Sequence, residues 1–183
     1  MRLGVAHHLG WAVVVTASDD HRVVDRRRIE LVEPGVAAAP VHHEGKPLDD
    51  AALAALVARV RASAARTASA ALDRLAAEVP GPVVSMSLRS WPPDFPDDVV
   101  VQRRVPHEAR ADSVMYRQVL ADVADALGWA VHLFDAGDVE DRAAAVLGER
   151  AHEVLHGPRA ALGPPWTKDH RMALAATVLA GAK

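Results

Sequence analysis

The chain has 183 residues, half of them apolar, with a net charge of −3 and no cysteine. This excludes a disordered chain, a disulfide scaffold and a thiolate metal site, and it argues against a strong non-specific hold on nucleic acid, which needs a basic balance. The length predicts one domain, residues 1–183, with enough chain for a real core.

Met1-Arg2-Leu3-Gly4 runs straight into a strand pattern with no apolar leader region, and no run is long enough to span a membrane, so a cytoplasmic protein is expected. Leu3 to Val5 is a short apolar strand, and His7 to Gly10 a turn. Trp11 to Thr16 is an unbroken apolar run, the signature of a strand buried on both faces. Ser18-Asp19-Asp20 is turn chemistry, and His21 to Val32 reads as a third, antiparallel strand whose charges suit a sheet edge. Pro34 to Pro47 reads as a loop carrying His42-His43-Glu44, metal-like in composition but read, from its place in a loop, as solvated.

Asp49 or Asp50 caps a long helix in which Leu53, Leu56, Val57, Val60, Ala64, Leu72 and Leu75 keep helical spacing; Pro80-Gly81-Pro82 ends it. Val83 to Leu88 is a fourth strand, leaving through a rigid Trp91-Pro92-Pro93 loop. A helix over Ala111 to Leu127, a strand over Trp129 to Phe134 and a helix over Val139 to Leu147 follow. A short helical segment around Glu149 to Leu155 and a last helix over Thr167 to Leu179 complete the chain. Two hairpin connections come first and helical crossovers later, which predicts an α/β fold with a mixed five-stranded sheet and helices on both faces.

That order resembles the ribonuclease H-like fold. Within it, Gly4-Val5-Ala6-His7-His8 followed by Gly10-Trp11-Ala12-Val13, and Lys168-Asp169-His170-Arg171-Met172-Ala173-Leu174-Ala175, resemble the first strand and last helix of RuvC-type Holliday-junction resolvases. The resemblance implies a nuclease in which several carboxylates hold two magnesium ions. Matched residue by residue, the first-strand acid is Ala6, the fourth-strand acid falls in Ser85-Met86-Ser87, and of the two last-helix acids Asp169 remains while Met172 replaces the other. One acid of four implies a catalytically degenerate relative.

Around these ends, Asp169 and His170 are the candidate catalytic pair, and His7 or His8 with Asp169 and His170 make a candidate site for a zinc- or manganese-like divalent ion. Ser87, Arg89 and Trp91, at a strand C-terminal end, and Arg110, Tyr116 and Arg117, in the segment that opens the following helix, are candidate ligand-binding residues: arginine for a phosphate, tryptophan for a base. Arg103, Arg104, Arg110 and Arg117 with Arg26 to Arg28 form the best basic patch. Three readings follow: a degenerate module binding nucleic acid or a phosphorylated ligand, a metal-dependent hydrolase with a His/Asp site, and an interaction protein that forms a homodimer through the sheet edge or the long helix.

Overall fold

A computed structural model describes residues 1–182. Five strands, β1 (Arg2–His7), β2 (Trp11–Ala17), β3 (Val23–Glu30), β4 (Ser85–Arg89) and β5 (Ala130–Phe134), form one sheet in the order β3-β2-β1-β4-β5. β1, β2 and β3 pair antiparallel; β4 and β5 join parallel to β1. This is the mixed five-stranded sheet expected from the connection lengths: tight turns join the first three strands, and helices carry the chain back to the same end for the last two.

The helices are α1 (Asp50–Glu78), α2 (Val99–Gln102), α3 (Glu108–Ala126), α4 (Val139–Leu147), α5 (Ala151–His156), α6 (Pro158–Leu162) and α7 (Lys168–Gly181). α1 and α3 cover one face of the sheet, where Leu3, Val5, Ala12 and Val14 meet Leu53, Leu72, Leu75, Met115 and Leu120. α4, α5 and α7 cover the other, where Ala6, Val13 and Val15 meet Val139, Val154, Leu174 and Val178. The alternate residues of β2 thus enter two different cores, which is why its apolar run shows no alternation.

α7 lies directly on β1. A Cβ on Gly4 would collide with the backbone carbonyl of Ala173, so glycine and the alanines of α7 permit a backbone-to-backbone approach that larger side chains would prevent. That contact fixes the start of α7 beside the end of β1. Asp49 caps α1 by accepting the Ala52 N–H at 2.8 Å.

Three short elements arise that the sequence did not announce: the 40–44 turn, α2 and α6. Pro40–Glu44 forms a π-helical turn, because the buried Asp112 of α3 accepts the Val41 and His42 N–H groups, each at 2.9 Å. α2 is one turn capped by Asp98. No helix among the described residues is long and apolar enough to cross a membrane.

Candidate anion site at the strand ends

Parallel strands β1 and β4 finish side by side, β1 at His7 and β4 at Arg89, with Gly4 opposite Ser87 in the register. Their C-terminal ends converge, and side chains from α3 on one face and α7 on the other reach them. This is where an open parallel sheet places a ligand.

On the α3 side the central residue is Arg117. It is only 8% exposed, yet no carboxylate lies within ion-pair distance among the described residues. Its Nη1 donates to the Ser90 carbonyl at 2.9 Å and its Nε donates to His7 Nε2 at 3.3 Å. Burial, with the nearby charges of Arg89 and Arg110, pulls its pKa down to about 10, still leaving it a cation at neutral pH.

His7 is the neutral partner. Burial first, then the charges of Arg117, His8 and Arg89, lower its pKa to about 3, against a small opposing effect of a backbone hydrogen bond with Ser113. A neutral ring with Nε2 as acceptor is the state that can receive the Arg117 N–H. Arg89, ending β4, and Arg110, on the first turns of α3, are exposed, and neither guanidinium has a hydrogen-bond or ion-pair partner among the described residues. Arg89 and Arg110 lie close enough for their charges to act on Arg117, and no acid is among the groups that do so. A buried charge left unpaired costs several kcal/mol, and an anionic ligand would offset that cost.

On the α7 side, His8 points away from His7, as adjacent residues at a strand end do. His8 Nε2 lies 3.0 Å from Asp169 Oδ2, and the His8 ring stacks on Trp11 with centroids 4.0 Å apart and planes 10° from parallel. The Arg28 guanidinium sits 4.2 Å from the Trp11 ring centre. Beyond them a cavity of about 420 Å³ is lined by Trp11, Val13, Arg26, Pro165, Asp169 and His170.

No protein-family model matches this chain, and neither does any curated protein. Among solved structures it is similar to T. thermophilus RuvC in complex with a Holliday junction substrate, with a TM-score of 0.49 and 13% identity, over 97% of this chain and 89% of that one.

The structure sorts the candidate residues. Ser87 leaves the ligand set: its Oγ is buried and donates to the Ala176 carbonyl at 3.2 Å, because alternation turns it inward onto α7. Tyr116 leaves it too. It is fully buried, its hydroxyl donates to the Ala38 carbonyl at 2.9 Å, and burial pushes its pKa up. Arg89, Arg110 and Arg117 come together, and Trp91 stands half-buried in the loop that begins beside them.

The metal set does not assemble. His7 faces Arg117, His8 faces Asp169, and His170 Nδ1 is taken by Thr167, accepting its N–H at 3.3 Å and lying 2.9 Å from its Oγ1 in a capping box that starts α7. Among the described residues no three His, Asp or Glu side chains are grouped to hold an ion. The positions where the resemblance calls for acids are packed instead: Ala6 is buried in the α7-side core and Met172 lies against it. The residues present therefore do not fit a two-magnesium centre.

Most of the wider basic patch is engaged elsewhere, although Arg104 stays exposed with no side-chain partner among the described residues. Arg26 donates to the carbonyls of Leu162, Gly163 and Pro165, and Arg27 pairs with Asp25 and Glu78. Arg28 pairs with Glu30, and Arg103 with Asp50. Sequence reading missed His7 as the partner that immobilises Arg117, and Asp112 as the clasp of the 40–44 turn. A histidine at a strand end seven residues into the chain carries no sign of a contact with residue 117.

Proposed function

We propose that this chain is a ribonuclease H-like module that binds nucleic acid through its phosphates at Arg89, Arg110 and Arg117, with the carboxylate machinery of the resolvase-type nucleases lost. The observation that supports it is the buried Arg117, held by neutral partners and left without an acid beside two unpaired arginines. Guanidinium groups present a planar fork of N–H donors that matches phosphate oxygens. Trp91, one residue beyond the Ser90 carbonyl that anchors Arg117, supplies an aromatic surface beside the phosphates on which a base can stack.

The test is binding of fluorescent single-stranded and four-way-junction DNA at low salt. Arg89→Ala and Arg110→Ala, both exposed, are expected to weaken binding by about fivefold to tenfold each with unchanged circular dichroism. Folded wild-type protein that binds neither DNA at low salt overturns the reading.

A further inference from the structure

We infer that the occupant of the arginine site is a terminal phosphate, a phosphomonoester at the end of a nucleic-acid strand, in preference to an internal phosphodiester. The inference rests on the nucleic-acid reading above and narrows its ligand.

Charge comes first. An internal phosphodiester carries one negative charge, whereas a phosphomonoester, with a second pKa of about 6, carries nearly two at neutral pH. Three guanidinium groups without a carboxylate among them match the dianion better, and the excess of cation over a single negative charge would leave Arg117 poorly compensated. Asp169 is engaged with His8 on the other side of the strand end and does not dilute this charge.

Access comes second. Arg117 is recessed behind the ends of β1 and β4, with its Nε on His7 and one Nη on Ser90. The remaining guanidinium N–H groups are what a ligand can reach. An internal phosphate is flanked by sugar on both sides and would have to bring two strand segments into this recess. A terminal phosphate is substituted on one side only and enters end-on.

Placement comes third. Arg110 and Arg117 are seven residues apart on α3, about two turns and 10.5 Å along one face, so their long side chains bracket a ligand between them. Arg89 approaches from the sheet. One end group held from three directions fits this arrangement; a strand laid across the surface would instead use a row of cations.

The experiment compares one short fluorescent single strand in three forms: 5′-phosphorylated, 3′-phosphorylated, and hydroxyl at both ends. Inorganic phosphate and a nucleoside monophosphate serve as competitors. The expected result is that a phosphorylated end binds about tenfold more tightly than hydroxyl ends, with the strand binding more tightly than the mononucleotide. Arg117→Lys should remove most of that preference. Because Arg117 is buried and its replacement also perturbs packing, Arg110→Ala, at an exposed position, provides a second reading of the same loss. Equal affinity for phosphorylated and hydroxyl-ended strands, with both bound, overturns the terminal-phosphate inference and leaves the nucleic-acid reading standing. A mononucleotide bound as tightly as the phosphorylated strand supports the phosphomonoester chemistry and overturns the nucleic-acid source. Failure of every ligand to bind overturns both.

Discussion

His7 and Arg117 are coupled in a way that pH should expose. A histidine whose folded pKa is about 3 and whose unfolded value is near 6.5 contributes stability that is fully present above pH 6.5 and is lost as pH falls toward 3. Protonation would also turn the acceptor that receives the Arg117 N–H into a second cation beside it. Urea unfolding between pH 7 and about pH 4 should therefore show a loss on the order of a few kcal/mol. His7→Gln, which keeps a neutral acceptor, should flatten that loss. His170 and His21 are lowered in the same direction, chiefly by burial, so part of the slope remains in the variant. An unchanged pH dependence in His7→Gln would show that His7 is not held neutral by its surroundings. At this scale the sequence was only partly legible. It placed histidines at the end of the first strand and arginines on the following helix, because strand and helix boundaries follow local pattern. That consecutive His7 and His8 take opposite sides follows from strand alternation, but the sequence could not say which partner each meets, nor that Tyr116 and Ser87 point inward. Those outcomes depend on the phase of a side chain within an element, which one residue of register reverses.

At the scale of elements, the long and strongly patterned segments were readable and the short ones were not. β2, with its unbroken apolar run, lies in the sheet interior, and α4 spans Val139–Leu147 as its periodicity required. α1 starts one residue after Asp49 and stops before Pro80-Gly81-Pro82, since a cap and a pair of prolines are local signals. By contrast α2, α6 and the 40–44 turn have too few residues to carry a period, and the last is held from outside by Asp112. β3 ends at Glu30, short of the expected Val32, because the chain there turns so that the Leu31 N–H meets the Gly10 carbonyl at 2.8 Å. The contact of greatest consequence for the site is β1 against α7, and no pattern within either element announces it. It predicts that Gly4→Ala destabilises the protein by about 3 kcal/mol or more, since the added methyl meets backbone that cannot rotate away. Gly35→Ala is the control: its φ of +82° imposes strain but nothing lies within 4 Å, so it should cost only about 1 kcal/mol. Denaturant unfolding of both variants decides the point, and equal costs would mean that α7 moves off β1 without penalty.

For the molecule as a whole, a net charge of −3 and a local cluster of arginines oppose each other. Counting basic residues along the chain gives a broad patch, but folding spends most of it. Arg26 clamps the loop ahead of α7, Arg27 and Arg28 stay within β3 and its neighbours, and Arg103 ties α3's approach segment to the start of α1. Of the arginines left without an acid partner, Arg89, Arg110 and Arg117 lie near one another at one end of the sheet. Long-range attraction should therefore be weak, and affinity should come from a few close contacts. Each arginine that neutralises a phosphate of a single strand releases counterions worth a slope of roughly −0.7 in log K against log salt concentration, so three contacts predict a slope of about −2. Binding measured across a salt series should give that shallow dependence for wild type. Arg110→Ala should bring it closer to about −1.4, since one of the three contacts is lost. Arg103→Ala should leave the slope where it was, because that guanidinium already serves the fold. A wild-type slope steeper than about −4 would instead mean that the paired arginines exchange their carboxylate and carbonyl partners for phosphate, and that the interface extends well beyond the strand ends.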